Sequence, residues 1–573
     1  MNAFGWVQLV LVLGGIVLVT KPLGMYLVRV LDPDIGGPTF LERFLGPVER
    51  AIYRVLGVDP SREQTWQRYT LSMIAFTGVV TFFTYALLRF QHRLPLNPQG
   101  FDAVRPDLAF NTAVSFVTNS NWQSYGGETT MSYFSQMVAL VTNNFVSPAI
   151  GIATAAALVR GIARAQGSTI GHFWRDVVRQ TLYLFFPASI LYALFLIGQG
   201  IPQSFTGYTA AHAVEGTTQN IVQGPIASQI AIKMLGTNGG GYVNVNAAHP
   251  FENPTALANA VQMVLFVAVC SALTWYFGRM VKNPRHGWAV WSVMFGLMTV
   301  GVLVCWWAEA QPSAHLVALG VDPAAANMEG KEVRFGIAGS SVFAAMTTAT
   351  GCGAVNGMHD SFTPIGGLVT LSNILSGEVL FGSVGSGLYG MLVFVLVAVF
   401  VAGLMTGRTP DYLGKKLEAR QMKLASLAML ASPALILIFS AFASVTDWGR
   451  AGLNNSGPHG LTEMLYAYAS ASGNNGSAFA GLTATPSNGN ILYNLTLGIC
   501  IIAGRLVPAI AVLALAGSLV AKKARASDVK TLPITGPTFI LLLSATVVIV
   551  GLLEFFPAVA LGPLAEHFSG TTY

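Results

Sequence analysis

Leu235-Gly236-Thr237-Asn238-Gly239-Gly240-Gly241 closes a mildly apolar stretch with small polar residues and glycine, and the chain makes this kind of cluster four times. The others are Thr118-Asn119-Ser120-Asn121, Gly351-Cys352-Gly353-Ala354 and Gly473-Asn474-Asn475-Gly476-Ser477. Counted from Asn119 to Thr237 to Cys352 to Asn474, the steps are 118, 115 and 122 residues. Each step is far longer than a solenoid repeat and long enough for two membrane helices plus a re-entrant loop. Four such loops around one axis have the geometry of an ion filter.

Composition sets these clusters in a membrane. Of 573 residues, 53% are hydrophobic and 10% charged, and mean hydropathy is +0.57. Hydropathy predicts ten spans near 6–30, 70–88, 133–159, 181–198, 257–277, 288–308, 389–405, 424–445, 491–520 and 538–557. The first is expected to remain as a helix. MNAFGWVQLV lacks a basic leader, and the apolar run continues through Lys21 to Leu31 without a clean cleavage site.

With ten spans, five loops fall on one side, and these carry most of the cations. They hold Arg43, Arg50, Arg54 and Arg62; Arg160, Arg164, Arg175 and Arg179; Arg279, Lys282 and Arg285; Arg408, Lys415, Lys416, Arg420 and Lys423; and Lys522, Lys523, Arg525 and Lys530. The opposite loops have only Arg89, Arg93, Arg105, Lys233, Lys331, Arg334 and Arg450. The positive-inside rule makes the basic side cytoplasmic and puts both termini outside. The net charge of +6 is therefore a topology signal, and no basic stripe interleaved with aromatics suggests nucleic acid.

The polar clusters lie between spans 2 and 3, 4 and 5, 6 and 7, and 8 and 9, so the four repeats cross the membrane in the same sense and can share an axis along its normal. This divides the chain into an N-terminal helix (1–32), repeats at 64–165, 172–283, 286–408 and 420–522, and a C-terminal helix with its tail (535–573). Short half-helices are expected before each cluster, at Asp107 to Phe116, Pro225 to Leu235, Ser341 to Thr350 and Leu461 to Ser470. Pro225 suits a first helical position, and Asp107 complements the helix dipole. At the other end the orphan carbonyls favour a cation. The cluster beyond is then unwound backbone, tolerated at membrane depth only where it lines a cavity. Glycine supplies the positive φ needed to aim successive carbonyls at an axis, as potassium filters do.

Four strings carry a resemblance to a family: Phe116-Val117-Thr118-Asn119-Ser120-Asn121-Trp122-Gln123, Leu235 to Gly241, Cys352-Gly353-Ala354-Val355-Asn356-Gly357-Met358-His359-Asp360, and Gly407-Arg408-Thr409-Pro410-Asp411-Tyr412-Leu413-Gly414-Lys415-Lys416. They closely resemble the potassium-binding A subunits of bacterial Kdp potassium-transporting ATPases, over essentially the whole chain. The resemblance implies an all-α integral membrane protein of four M1-P-M2 potassium-channel-like repeats around a central pore. It implies a potassium-binding subunit working with a P-type ATPase catalytic subunit and two small C-type and F-type membrane subunits in the bacterial cytoplasmic (inner) membrane. On it, Asn119, Thr237, Cys352 and Asn474 mark the carbonyl rings of the central K+ site. Their neighbours Thr118, Ser120, Asn121, Gly236, Asn238, Gly239, Gly351, Gly353, Gly473, Asn475 and Gly476 supply adjacent rings. The alternative for Thr237 and Asn474 is a role as hydrogen-bonding struts behind the filter, and the sequence does not separate the two. Gly351 and Gly473 depart from the pattern, standing where a bulkier polar residue is more usual. Gln123 faces the outer mouth in this reading.

In the third repeat, Gly366-Gly367, Gly377-Glu378, Gly382, Gly385 and Gly387 predict a helix broken at membrane depth. We read it as a gate below the filter, and the resemblance adds a sideways tunnel toward the ATPase subunit. Glu378 is a candidate at the tunnel mouth or a structural partner for Arg408 or Arg505; Arg505 is a candidate fixed cation against an unwanted exit. The chain carries neither a phosphate loop nor a D-K-T-G phosphorylation string, so it binds no nucleotide in this reading and is not an enzyme by itself. Cys270, Cys305, Cys352 and Cys500 are scattered, which argues against a disulfide frame or thiolate metal site. His172 and His286 read as solvated loop imidazoles. A gradient-driven potassium symporter or channel of the same pore superfamily is the alternative function, and a membrane redox or lipid enzyme the third.

Overall fold

The computed structural model describes residues 3–322, 324–377, 379–486, 489–524 and 532–569; Glu378, Arg525 and Lys530 lie outside them. Among the described residues, ten helices are long and apolar enough to cross a membrane: Ala3–Leu31, Trp66–Arg93, Ser135–Ala163, Phe173–Gly198, Ala256–Met280, Pro284–Glu309, Ser386–Met405, Ala419–Ser444, Leu492–Val520 and Pro537–Ser569. They fall on the ten expected spans. Side-chain caps start several of them. Thr255 accepts the Ala258 amide at 3.1 Å, Asn283 accepts that of His286 at 3.1 Å ahead of Pro284, and Glu418 with Gln421 forms a capping box. Two short antiparallel hairpins, Thr209–His212 with Thr218–Ile221 and Asp411–Tyr412 with Lys415–Lys416, interrupt the helical fold.

The third span is the hub: 89% of its most apolar window is buried, against 17% for the eighth and 22% for the second. Its run from Ala149 to Val159 is fully packed, and its small residues admit close neighbours. A Cβ on Gly161 would lie 2.7 Å from the Ala516 carbonyl of the ninth span. The first span lies along the fifth, where Gly24 admits the Trp275 ring.

Hydrogen bonds join the inter-span loops and the span ends of the basic face. Arg160 reaches Asp32 at 2.8 Å and Asp176 at 2.7 Å, Tyr276 donates to Asp32, and Tyr69 donates to Asp176. Lys415 Nζ donates at 2.8 Å to Gly161 O and to Leu519 O, capping the last turns of the third and ninth spans. His286 bridges the Tyr412 hydroxyl and Ile534 O. Several of the loop cations are therefore buried and partnered. Arg160 is 3% exposed and Lys415 1%, and burial pulls the Lys415 ammonium down to about 8. The histidine expectation is corrected as well: both His172 and His286 are buried. His172 caps a helix through the Arg175 amide, and burial lowers its pKa.

Four half-helices enter from the opposite side, at Pro106–Val117, Ile226–Leu235, Gly336–Ala349 and Gly457–Gly473. The first two match expectation. The third and fourth begin earlier than expected, because Gly336-Ile337-Ala338-Gly339-Ser340-Ser341 and Gly457-Pro458-His459-Gly460 read as loop by propensity. Within a packed interior, a helix satisfies their backbone groups. The third repeat contains a break: a helix at Pro364–Leu375 stops, and the seventh span starts only at Ser386.

Candidate functional site

Three of the half-helices end in the same way. Asn238 N–H reaches Lys233 O at 2.8 Å, Cys352 N–H reaches Thr347 O at 3.1 Å, and Asn475 N–H reaches Ser470 O at 2.9 Å. The residue before each is left-handed, with φ of +49° at Thr237, +58° at Gly351 and +60° at Asn474. This is the Schellman termination. The first half-helix varies it: Asn119 is left-handed at +76°, and the amide of Asn121, one residue further on, takes Ser115 O. In the third cluster the left-handed turn falls one residue before Cys352, the residue that the even spacing matches to the other three. Gly351, rather than Cys352, is level with Asn119, Thr237 and Asn474, and the chain reversal at that position explains why glycine serves there. Gly473 is the last residue of its helix.

Beyond the reversals the four segments meet. A Cβ on Gly476 would stand 1.7 Å from Ser120 O and 3.1 Å from the Gly239 Cα; one on Gly353 would stand 2.2 Å from Asn475 O and 2.7 Å from the Gly239 Cα. Gly239 is equally enclosed: a Cβ there would stand 2.8 Å from Ser120 O and 3.1 Å from Asn475 O. Glycine is required here because backbone faces backbone. The carbonyls gathered at this level are those of Ser120 and Asn475, one residue beyond the left-handed positions.

Side chains tie the segments together. Asn119 Nδ2 donates to Gly236 O at 3.2 Å and Thr237 O at 3.1 Å, while its Oδ1 accepts from Asn238 Nδ2 and from Ser147 on the third span. Thr237 Oγ1 accepts the Val384 amide at 3.0 Å, and Asn474 Nδ2 donates to Ala471 O and Ile501 O. Both side chains thus have the geometry of struts. Ser383 Oγ lies 3.3 Å from Gly351 O and 3.2 Å from Asn474 O. The broken segment of the third repeat therefore sits directly beneath the converged strands. On the other side, Gln123 bridges the first and second segments, accepting Gly241 N–H at 2.8 Å and donating to Gly241 O at 3.1 Å. Thr118 caps its own helix through Val114 O.

The candidate gate residues separate. Gly377 lines a cavity of about 80 Å³ with Ser386, Ser472, Gly473 and Glu554. Arg505, on the ninth span and 6% exposed, is close to Gly151, where a Cβ would stand 2.9 Å from its Nη2 and 2.2 Å from Val384 O. Arg408 is not brought there. It is exposed past the far end of the seventh span, roughly 30 Å of helix from the break.

Two of the cations assigned to opposite-side loops are buried ion pairs: Lys233 with Glu252 at 2.8 Å and Lys331 with Glu309 at 2.7 Å, all four side chains at 0% exposure. A third buried cluster fastens the C-terminal helix to the fourth half-helix. His459 contacts Asp360 at 2.9 Å and Glu566 at 3.2 Å. Burial alone would lower this imidazole, but the hydrogen bonds and charges of the two carboxylates outweigh it and raise it to about 9. With the folded pKa above the ordinary 6.5, the contribution is full below about 6.5 and is lost as pH rises through about 9. It is expected to be on the order of 3 kcal/mol. Thermal unfolding of the purified protein should show a midpoint that falls between pH 6.5 and 9.5, and His459→Gln should flatten that slope; an unchanged slope would remove His459 from the contact.

The chain is similar to known proteins along nearly its full length. The family model described as "Potassium-transporting ATPase A subunit" matches residues 10–568. A protein of Methylobacterium radiotolerans named "Potassium-transporting ATPase potassium-binding subunit" is 55% identical over 571 residues, covering 100% of this chain and 98% of the relative. One of the same name from Granulibacter bethesdensis is 54% identical, with 100% of both chains covered. The crystal structure of the potassium transporter TrkH from Vibrio parahaemolyticus matches 90% of this chain and 98% of its own, with a TM-score of 0.52 and 14% identity, a likeness of fold alone.

Proposed function

The chain belongs to the potassium-transporting ATPase A subunit family, and on that footing we propose that its four converging segments are the selectivity filter of an ATP-driven potassium uptake complex. The observation that carries this is the enclosure of Gly239, Gly353 and Gly476 against the Ser120 and Asn475 carbonyls. Half-helix C-termini aimed at backbone carbonyls favour a monovalent cation, and glycine lets the carbonyls replace its water shell.

In this reading each repeat is an M1-P-M2 unit within 64–165, 172–283, 286–408 or 420–522, with the helices of 1–32 and 535–573 outside the ring. The ion-facing level is the row Ser120, Asn238, Cys352 and Asn475, with Asn121, Gly239, Gly353 and Gly476 next to it. The left-handed row Asn119, Thr237, Gly351 and Asn474 is the frame behind. Thr118, Gly236 and Gly473 close the helices. Gln123 holds the outer mouth. The break around Gly377 and Ser383 prevents free flow, Arg505 discourages the direct exit, and the neighbouring cavity is the start of a lateral tunnel. Arg408 belongs to the cytoplasmic rim instead.

The chain supplies ion recognition and no hydrolysis of its own; a P-type ATPase catalytic subunit with small C-type and F-type subunits supplies the rest. The basic loops face the cytoplasm across the bacterial inner membrane, and both termini lie outside. Affinity purification of the tagged chain from its own membranes tests this reading. Co-purification of an ATPase whose hydrolysis is stimulated by potassium supports it. Potassium transport by the chain with no ATPase attached would favour a gradient-driven symporter or channel.

A further inference from the structure

Lys233 sits in the last turn of the second half-helix with its side chain fully buried. Its ammonium donates to Glu252 Oε2 at 2.8 Å and to Asn246 Oδ1. Glu252 Oε1 accepts the Val243 amide at 2.9 Å, so each carboxylate oxygen has a donor. Asn246, held at φ +55°, turns its Nδ2 onto Gly239 O at 2.8 Å. At its backbone end, Lys233 O accepts Asn238 N–H at 2.8 Å. One residue therefore fixes the second segment at two successive positions: Asn238 directly and Gly239 through Asn246.

A fully buried ion pair is weak as a stabilising device, since an apolar pair of similar volume often does as well. Here its position has a specific consequence. An amide whose oxygen accepts from an ammonium is a stronger donor at its nitrogen, because hydrogen bonds in a chain polarise one another. That donor holds Gly239 O, and the Gly239 Cα is left facing the Ser120 and Asn475 carbonyls. We propose that Lys233, acting through Asn246, is a positioning residue that sets which face of the second segment meets the ion and thereby tunes discrimination among monovalent cations. The proposal rests on the filter reading above.

Lys233→Met alone would leave Glu252 buried without its cation, so the test uses the charge-neutral pair Lys233→Met with Glu252→Gln, and separately Asn246→Leu, which keeps the ion pair. Cation-stimulated ATP hydrolysis by the assembled complex is measured in potassium, rubidium and sodium, with Gly239→Asp in parallel. Both variants are expected to raise the half-saturating potassium concentration about tenfold and to change the rubidium-to-potassium ratio of half-saturating concentrations by about threefold or more. Maximal rate at saturating ion should stay within about twofold. A folded, assembled variant in which affinity for all ions falls together at a constant ratio has lost only structure, and that result overturns the proposal. An unchanged ratio in both variants beside a changed one in Gly239→Asp also overturns it while leaving the filter reading intact. If Gly239→Asp is equally silent, the filter reading itself fails. Should the paired variant fail to assemble, Asn246→Leu decides.

Discussion

Gly476→Ala is expected to raise the potassium concentration for half-maximal activity of the assembled complex by about a hundredfold or more. Gly476 has φ +89°, a region where an L-residue costs roughly 1–2 kcal/mol. The added Cβ would also stand 1.7 Å from Ser120 O. Carbon and oxygen need roughly twice that separation, so the Ser120 carbonyl must move by more than ~1 Å or the fourth segment must withdraw. Either motion displaces a carbonyl from the level where the segments meet, and misplacements of ~1 Å at a recognition site commonly cost about a hundredfold. The neighbouring strand is backbone and has no rotamer to yield. Titration of potassium-stimulated hydrolysis measures the effect, and a variant with native potassium affinity would show that Gly476 does not border the ion.

Gln123→Arg has the next largest expected effect. Gln123 joins the first segment to the second through both its donor and its acceptor at Gly241, and arginine has no acceptor with which to keep the Gly241 amide bond. It also brings a fixed positive charge to what we propose is the outer mouth. Two unit charges ~4 Å apart repel by on the order of 4 kcal/mol at an effective dielectric near 20. Salt and the open outer position weaken that, so the expected loss of potassium affinity is about ten- to a hundredfold, larger at low ionic strength. Gln123→Leu separates the two causes: it loses the bridge without the charge and should show the smaller, salt-independent part. Equal affinities in all three proteins would take Gln123 out of the ion path.

The ten spans were legible because a membrane helix announces itself by length and apolarity, and the loops and span ends of one face are hydrogen-bonded together as the parity of ten spans requires. The existence of the half-helices was legible too, from four polar clusters at a common period. What misled was residue type standing in for backbone. Cys352 looks like a partner for Asn119, Thr237 and Asn474 as a small polar residue, yet the left-handed turn belongs to Gly351. Lys233 and Lys331 look like loop cations until the fold supplies Glu252 and Glu309. Asn246 and Ser383 escaped notice because Ser383 bonds segments distant in sequence and Asn246 reaches Gly239 back across an irregular loop, and no local pattern records such a contact. The concentration of polar residues from Asn244 to Asn253 in an otherwise apolar chain is the signal that points to Asn246 and Glu252.

We propose that this chain selects the ion where its four segments meet. The ion preference of the intact assembly is compared with that of Gly239→Asp, whose carboxylate is carried on a Cβ that would itself stand 2.8 Å from Ser120 O and 2.9 Å from the Gly476 Cα. Potassium-stimulated hydrolysis is expected in the native assembly and, in the variant, a lost or altered preference for potassium over rubidium and sodium. An assembled variant with native potassium affinity and native preference would contradict it and place ion selection elsewhere in the complex.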